Sequence, residues 1–389
     1  MSENITSNNL YTSKSRQEDD VKPRVSEKCL PTLLERLYGL KVIEIKKLPS
    51  YYDQNFFIAA GSNNEGKHVQ KVNKDGYVLK ILNKTESLQP DNIGSQHALC
   101  KYLREHGIPT QIPILNTEGQ EWSLETFTDI VEGKYIKTGP YLTRLLTFVP
   151  GKVFVDSPYV PGSFFNIGRF VGRLHTKMKG FNHNFSDNHT NIWSLHQTPS
   201  LKQFQDVLPC EADITVIKEV VEAFEQYVLP KYDTFTKGVI HGDLNEQNII
   251  VNEVPGQHDI PTDQRIHDVS AVIDFCFISY SYIVFDIAIC IAYISIECPD
   301  ESQADVGGHF LSGYYKTCSL NSDEFEALKI LICARLCQSL VYGAHTYAQQ
   351  PGNDYILSTQ KRGWPLLHKL WKMSTEHLYS KWKVIMSEY

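Results

Sequence analysis

The chain has 389 residues, enough for two or three packed domains of about 150 residues each. Apolar residues make up 42% of it and charged residues 21%, as in a globular protein with a substantial core. The 38 Lys and Arg against 45 Asp and Glu give a net charge of -7, which offers no overall attraction for nucleic acid or anionic lipid. We therefore expect neither a nucleic acid nor a membrane as partner, and the sequence carries no signal of an oligomeric state.

The nine cysteines include no C-x-x-C pair, a pattern that favours reduced thiols over a disulfide framework or a zinc site. We therefore expect a reducing, cytoplasmic location. Residues 1–29 are polar and lack an apolar run long enough for a signal-peptide core, so we interpret them as a disordered tail. The most apolar segment, Tyr282–Ile296, is too short and, with Asp286, too polar to span a membrane, and it predicts a buried core helix.

In the first 150 residues, short strands alternate with helices. The apolar periodicity and the turn residues between the runs define these elements. They are a helix at Thr32–Tyr38, strands at Lys41–Leu48 and Asn55–Ala60, a hairpin turn at 61–66, a strand at Gly76–Leu82, a helix at Ile93–Glu105, and strands at Glu121–Phe127 and Tyr141–Phe148. This part predicts a strand-rich lobe.

After Pro150-Gly151 the pattern changes to long helical periodicities. Two short strand-like runs, Asn248–Val251 and Ala271–Phe275, lie among them. The predicted helices are Ser163–Lys179, Ser200–Asp206, Ile214–Leu229, Ser322–Ala348 and Gly363–Ser387. The second lobe is therefore predicted to be mainly helical, and the chain as a whole belongs to the α+β class.

The strongest functional motif is His-Gly-Asp-x-x-x-x-Asn at 241–248, followed by Asp274 after the second strand-like run. Transfer of a phosphoryl group requires a carboxylate that orients the acceptor hydroxyl, and oxygen ligands that hold Mg²⁺ on the phosphates. Asp243 can orient the hydroxyl, while Asn248 and Asp274 can bind the metal. Each residue alone could be a turn, a cap or a strand end, but the combination favours phosphoryl transfer.

A lysine in the middle of an apolar strand is the second functional signal. Lys80 lies within Tyr77–Leu82, where burying an unpaired ammonium would cost several kcal/mol, so it needs an anion. Nucleotide phosphates would supply one. The alternative is a lysine that faces solvent.

These features together resemble the aminoglycoside phosphotransferase and choline kinase superfamily, and within it the hydroxylysine kinase family. The resemblance covers nearly all of the chain from Pro31. Beyond the 241–248 motif, the similar segments are Tyr52–Phe56, Arg144–Gly151, Tyr280–Asp286, Val306–His309 and Cys337–Val341. It implies a two-lobed fold like that of protein kinases: a tail (1–29), a nucleotide-binding N-lobe (30–146), a hinge (147–151), and a helical C-lobe that carries the catalytic and substrate sites (152–389).

The resemblance also implies residue roles. Asp243 would be the catalytic base, Asn248 and Asp274 the Mg²⁺ ligands, and Lys80 a phosphate ligand. The nucleotide would further contact Asn55 in the loop over the phosphates, and Thr147 and Val149 through backbone groups that bond the purine. His241 and Asp286 would support the catalytic loop. The reaction implied is transfer from GTP, or ATP, to the hydroxyl of 5-hydroxy-L-lysine.

Two departures from the family pattern keep a second class of function open. Gln96 stands where many kinases have a glutamate that pairs with the strand lysine, and Cys276 replaces the glycine of Asp-Phe-Gly. We expect at best a hydrogen bond between Gln96 and Lys80. A non-catalytic pseudokinase that binds nucleotide is therefore the alternative, although the complete trio of Asp243, Asn248 and Asp274 favours an enzyme.

Recognition of the acceptor is the least specific part of the sequence. Arg335 lies in an apolar helix, and we hypothesise that it binds the α-carboxylate of an amino-acid acceptor; the alternative is an ion pair with an acid of the protein. Trp193 and Glu297 are weaker candidates for contact with its ammonium groups. Choline, ethanolamine or an amino sugar could replace hydroxylysine as the acceptor.

Overall fold

The computed structural model describes residues 22–61, 72–131, 134–182, 191–349 and 357–389. Within these ranges the chain forms a lobe built on a β-sheet followed by a mainly helical lobe. The predicted two-lobed α+β fold is confirmed. The predicted hairpin turn at 61–66 lies, apart from Gly61, outside the described residues.

Residues of the first lobe form α1 (Leu30–Tyr38), β1 (Val42–Leu48), β2 (Gln54–Ala60), β3 (Tyr77–Ile81), α2 (Lys84–Ser87), α3 (Pro90–Glu105), β4 (Ser123–Val131) and β5 (Lys134–Thr147). The five strands make one antiparallel sheet in the order β1-β2-β3-β5-β4. The apolar side chains of α1 pack on one face of this sheet, against residues such as Phe56, Leu79 and Leu145. The opposite face is therefore free to carry polar groups.

The first lobe begins earlier than the sequence predicts. Residues 22–29 were expected in a disordered tail, yet Val25 is buried and its N–H donates to the Gln54 side chain at 2.8 Å. Lys22 donates to the carbonyl groups of Ser50 and Tyr51. The tail interpretation was wrong for this segment, because a polar stretch can be held by backbone hydrogen bonds that have no periodic signature. Residues 1–21 lie outside the described part of the chain.

The second lobe consists of β6 (Lys152–Val153), α4 (Pro161–Met178), a 3₁₀ segment (Leu195–Val207), α5 (Glu211–Ala223), β7 (Lys237–Ile240), β8 (Ile249–Glu253), β9 (His267–Val272), β10 (Ser279–Tyr282), α6 (Ile283–Glu297), α7 (Val306–Tyr314), α8 (Ser322–Gln349), α9 (Gln360–Lys372) and α10 (Thr375–Met386). Its core is centred on α6, whose residues from Ile283 to Ile296 are all buried. Leu99 and Leu103 of α3 join the same core, so the two lobes share apolar contacts. The predicted core helix is confirmed.

Among the described helices, Ser322–Ala348 is long and apolar enough to cross a membrane by length and composition alone. In the folded chain 89% of its most apolar window is buried inside the protein, which is also what the core helix of a folded domain shows. The length and composition of this helix therefore follow from its place in the core between α6 and α9.

Three helical predictions need correction, and a further helix was not predicted. Ser200–Asp206 is part of a longer 3₁₀ segment, Leu195–Val207. The stretch Gly363–Ser387 forms two helices rather than one, because Ser374 caps α10 by accepting from the N–H of His377. Ile214–Leu229 begins earlier, and its last residues form a wider π-helical turn at Phe224–Val228. The helix at Val306–Tyr314 was not predicted, because its glycines and short length weaken the periodic pattern.

We expect the contact between α4 and α7 to be sensitive to added volume. A Cβ at Gly168 would lie 1.9 Å from the carbonyl oxygen of Phe310, so Gly168→Ala forces the helices apart. We expect it to lower the free energy of unfolding by about 1–3 kcal/mol in urea titrations. The matched control is Gly94→Ala on α3, where a Cβ meets no atom within 4 Å. That change should raise stability by about 0.5–1 kcal/mol, and equal effects of the two substitutions would contradict the packing argument.

Candidate active site

A polar row crosses the face of the sheet opposite to α1. Asn55, Lys80 and Arg144 are directly opposed on β2, β3 and β5, and directly opposed residues of an antiparallel sheet point to the same side. Lys80 is 4% exposed and Arg144 is 3% exposed. Three adjacent strands thus bring one amide and two cations to the side of the sheet that faces the second lobe.

The anion next to Lys80 is a carboxylate of the second lobe. Lys80 Nζ lies 2.8 Å from Asp274 Oδ1, and Asp274 stands two residues after β9 with its side chain one-third exposed. Desolvation disfavours the charged form of both groups, but the attraction within the ion pair is stronger. The pKa of Lys80 is therefore raised above its usual value, and the pKa of Asp274 is lowered. Asp274 has a positive φ of 64°, which aspartate tolerates better than most residues.

Gln96 lines the same cavity as Lys80, but the described residues show no hydrogen bond between them. Its side chain instead accepts from Arg144 Nη1 at 2.9 Å and donates to the carbonyl oxygen of Cys276 at 3.3 Å. Arg144 also lies 3.4 Å from the sulfur of Cys276. The two departures from the family pattern therefore meet in one network, which ties α3 to the segment that follows Asp274.

The sequence analysis missed Arg144. Its signal was available, because Arg144 interrupts the apolar run Tyr141–Phe148 in the same way as Lys80 interrupts its own strand. Arg144 Nη1 also contacts His97 Nε2 at 3.1 Å. Burial and the charge of Arg144 lower the pKa of His97 to about 2, so the ring is neutral and accepts this hydrogen bond.

The segment at 241–248 forms a loop between β7 and β8 whose backbone is held by Asp286. The two carboxylate oxygens of Asp286 accept from the N–H groups of His241 and Gly242, each at 2.7 Å. His175 supports the same carboxylate at 3.2 Å. Gly242 has φ of +80°, and a Cβ there would lie 2.3 Å from the Phe277 carbonyl oxygen, which explains glycine at this position.

His241 lies beneath the loop, where it is fully buried. Its Nε2 contacts the carbonyl oxygen of Ile273 at 3.0 Å, and its Nδ1 accepts from the N–H of Asp243 at 3.2 Å. The ring packs on Phe275, with centroids 4.6 Å apart. These contacts join the loop to the strand exit that carries Asp274.

Asp243 and Asn248 converge within the loop. Asp243 Oδ2 accepts from the side-chain amides of Asn245 at 3.0 Å and Asn248 at 3.2 Å. Asn248 Nδ2 also donates to the carbonyl oxygen of Asp243 at 2.9 Å, which leaves the Asn248 Oδ1 for another partner. Burial raises the pKa of Asp243, while the charge of Arg335 beside it opposes that rise.

The oxygen donors of this site fit a magnesium ion. Asn248 Oδ1 and the Asp274 carboxylate are hard oxygen ligands, and Mg²⁺ is usually held by one or two protein groups together with phosphates and water. The described residues contain no cluster of three His, Cys, Asp or Glu side chains suited to a metal ion. This donor set therefore fits a metal carried with a nucleotide better than a dedicated protein cage.

At the predicted hinge, the N–H of Thr147 is already paired within the protein. Its N–H donates to the carbonyl oxygen of Ile112 at 2.9 Å, and its hydroxyl accepts from the Ile112 N–H at 3.1 Å. The Phe148 N–H donates to Gly76. The N–H of Val149 has no partner among the described residues. Val149 is thus better placed than Thr147 to donate to a purine, because strand β5 continues through Thr147.

Arg335 meets the predicted base. It is 2% exposed on α8, and its Nη2 lies 2.9 Å from Asp243 Oδ1. Its Nη1 donates to the carbonyl oxygen of Trp193 at 2.7 Å. The ion pair with an acid of the protein, the alternative considered for Arg335, is the arrangement in this structure, and the acid is Asp243.

Other candidates for acceptor contact surround this pair. The Trp193 ring lies under the Arg335 guanidinium, with the carbon of the guanidinium 5.4 Å from the ring centroid. Glu297 ends α6 and pairs with Arg362 at 3.4 Å. Trp193 is therefore part of the site, whereas Glu297 already has a cation as partner.

Glu246 is a site residue that the sequence analysis missed, although it lies inside the motif. It is 6% exposed, and its Oε2 has no hydrogen-bond partner among the described residues. Burial raises its pKa to about 8, and the nearby charges of Glu297 and Asp243 act in the same direction. The hydroxyl group of Tyr159, for which Glu246 is a neighbouring charge, is also buried without a described partner. Two unpaired polar atoms thus lie beside the catalytic loop.

Comparison with known proteins places this geometry in a family. The model of the phosphotransferase enzyme family matches residues 57–318. The chain belongs to this family.

Similar full-length proteins and solved structures agree with this assignment. The phosphotransferase is 33% identical over 368 residues to hydroxylysine kinase of Bos taurus, covering 93% of each chain, and 32% identical over 373 residues to that of Mus musculus, covering 94% and 95%. Its fold is similar to that of an amicoumacin kinase, with a TM-score of 0.62 and 17% identity over 91% and 97% of the chains. It is also similar to the fold of an aminopropanol kinase, with a TM-score of 0.61 and 15% sequence identity, covering 92% of this chain and 98% of the other.

The family and its relatives give the activity in general terms. The protein is a phosphotransferase that acts on a hydroxyl group, a small-molecule kinase that uses a nucleotide as its donor. The convergence of the 241–248 loop with Asp274 and Lys80 is consistent with this chemistry.

We expect Asp286→Asn to weaken both the fold and the phosphotransferase activity. Asparagine offers one carbonyl oxygen where Asp286 accepts from two backbone N–H groups, so one buried N–H loses its partner at a cost of about 1–3 kcal/mol. Urea unfolding would measure the loss of stability. A lower kcat would report that the catalytic loop has moved. The control is Asp268→Asn, in an exposed surface pair with Arg169. Unchanged stability and kcat in Asp286→Asn would contradict the bracing role.

Proposed function

We propose that this protein is a magnesium-dependent kinase that transfers the γ-phosphoryl group of GTP, or of ATP, to the hydroxyl of 5-hydroxy-L-lysine. The observation that carries the kinase mechanism is the convergence of Asp243, Asn248 and Asp274. The Asn248 side chain donates to Asp243, the N–H of Ile273, next to Asp274, donates to the carbonyl oxygen of Asn248 at 2.9 Å, and the charge of Asp274 acts on Asp243. The choice of acceptor rests on the full-length similarity to hydroxylysine kinases of several vertebrates.

In the proposed mechanism Asp243 accepts a hydrogen bond from the acceptor hydroxyl and orients it for attack. Asn248 and Asp274 would hold Mg²⁺, which neutralises charge on the phosphates of the donor. Lys80 and Arg144 place two buried positive charges on the side of the sheet where those phosphates would lie, with Asn55 beside them. The protein forms no covalent bond to the substrates in this mechanism, because positioning and charge stabilisation account for most of the rate enhancement.

The acceptor end of the site fits an amino alcohol. In 5-hydroxylysine the carbon that bears the reacting hydroxyl is bonded to a carbon that bears an ammonium group. When the hydroxyl contacts Asp243, this ammonium group must therefore lie close to Asp243 as well. Glu246, three residues along the same loop, has a buried oxygen, Oε2, without a partner among the described residues. A bound ammonium would pair with this oxygen, lower the raised pKa of Glu246 and so favour its charged form. We assign Glu246 to this ammonium, and Trp193 to the wall of the acceptor site.

We further propose a cytoplasmic location. All nine cysteines are free, and five of them are buried, which agrees with a reducing compartment.

The first experiment is phosphoryl transfer by the purified protein with Mg²⁺ and either GTP or ATP. The acceptors are 5-hydroxy-L-lysine, choline, ethanolamine and an aminoglycoside. We expect turnover with hydroxylysine that depends on Mg²⁺ and that falls by about 10²- to 10⁴-fold in Asp243→Asn, because the base no longer accepts the hydroxyl proton. Turnover with another acceptor in place of hydroxylysine would reassign the substrate. Tight nucleotide binding without turnover on any acceptor would favour the pseudokinase.

The assignment of Glu246 makes a separate prediction. Glu246→Gln should raise the KM for hydroxylysine by about 10- to 100-fold, since a charged hydrogen bond is replaced by a neutral one. It should leave KM unchanged for 2-amino-5-hydroxyhexanoate, which has a methyl group in place of the aminomethyl group. Glu253→Gln, in an exposed pair on β8, is the control. An equal effect of Glu246→Gln on both acceptors would exclude the ammonium contact.

A further inference from the structure

Arg335 is held at both terminal nitrogens and by two aromatic rings, while its Nε has no partner among the described residues. Its two terminal nitrogens contact the carbonyl oxygen of Trp193 at 2.7 Å and Asp243 Oδ1 at 2.9 Å. The guanidinium carbon lies 5.4 Å from the Trp193 ring centroid and 5.2 Å from that of Tyr293. One nitrogen anchors the guanidinium to the main chain at Trp193, so the other nitrogen presents its donor to Asp243 Oδ1 from a more fixed position than a flexible ammonium could.

The hydrogen bonds of Asp243 identify which of its oxygens is available to an acceptor. Oδ2 accepts from the side chains of Asn245 and Asn248, whereas Oδ1 accepts from Arg335 alone. Because each carboxylate oxygen has two lone-pair positions, the remaining position lies on Oδ1. The acceptor hydroxyl would therefore bond the same oxygen that Arg335 holds.

We infer that Arg335 is the positioning residue of the base: it fixes the Asp243 carboxylate so that the free lone pair of Oδ1 faces the acceptor hydroxyl. This inference rests on the proposed role of Asp243 and replaces the hypothesis that Arg335 binds the α-carboxylate of the acceptor. In hydroxylysine four carbon–carbon bonds separate the α-carboxylate carbon from the carbon that bears the hydroxyl. An arginine in contact with the base oxygen lies at the hydroxyl end of that molecule.

A double-mutant cycle separates the two roles. We expect Arg335→Met to lower kcat by about 10- to 100-fold, because the carboxylate is free to turn out of line, with KM for hydroxylysine and for the nucleotide nearly unchanged. The factor should be the same for 1-amino-2-propanol, which has the hydroxyl and ammonium but no carboxylate. Adding Arg335→Met to Asp243→Asn should cost nothing further, since Arg335 acts through Asp243.

Arg335→Lys is the variant that distinguishes a loss of positioning from a loss of folding in Arg335→Met. It keeps the buried charge but cannot contact Asp243 and the Trp193 carbonyl together, so we expect partial recovery of kcat relative to Arg335→Met. Nucleotide affinity and thermal unfolding report on folding in each variant. Arg169→Met, in an exposed pair with Asp268, is the control and should retain full activity.

Two outcomes would overturn the inference alone. In the first, Arg335→Met raises the KM for hydroxylysine but not for 1-amino-2-propanol, and the effect persists when Asp243→Asn is also present. This result is expected if Arg335 binds the carboxylate of the acceptor. The other is unchanged kcat in Arg335→Met. If the protein phosphorylates neither hydroxylysine nor 1-amino-2-propanol, the rate of phosphate release from the nucleotide, which reports transfer to water, can be compared between the wild type and Arg335→Met instead. A wild-type protein that transfers to no acceptor, water included, would overturn the proposed function and with it this inference.

Discussion

The geometry of the site depends on one buried carboxylate. Asp286 lies in α6, the most buried helix of the described chain, and its two oxygens accept from consecutive N–H groups of the catalytic loop. These groups would otherwise be buried without partners, so the loop cannot leave this position without a large cost in free energy. His175 and, through it, Tyr314 complete the environment of the carboxylate. A buried helix of the helical lobe thereby sets the position of the loop that carries Asp243 and Asn248.

The second constraint joins the two lobes. Lys80 of the sheet and Asp274 of the helical lobe form an ion pair, and the network of Gln96, Arg144 and Cys276 lies beside it. Leu99 and Leu103 of α3 add apolar contacts to the core of the helical lobe. The departures at Gln96 and Cys276 therefore meet in one network, beside a small cavity that Lys80 and Asp274 also line. Arg144 and Gln96 tie α3 to the strand exit with hydrogen bonds.

Much of the fold was predictable because long amphipathic or wholly apolar runs give strong periodic signals. The helix at Ser322–Gln349 and the core helix at Ile283–Glu297 are examples. The break at Ser374 was missed because a single capping serine leaves the apolar period almost unchanged. The order of residues 22–29 was missed because it comes from backbone hydrogen bonds with distant residues, which local composition does not encode.

For the site, the sequence was informative where partners are close in the chain and silent where folding brings them together. The carboxylate and amide of Asp243 and Asn248 are five residues apart, and their contact follows from one loop. Lys80 and Arg335 each interrupt an apolar element, so each could be predicted to need an anion, but not which one. In the structure each of these two cations is opposed by a carboxylate of the site, Lys80 by Asp274 and Arg335 by Asp243. Asp274 and Asp243 repel each other, and a cation from a different element beside each carboxylate favours its charged form, Lys80 at Asp274 and Arg335 at Asp243.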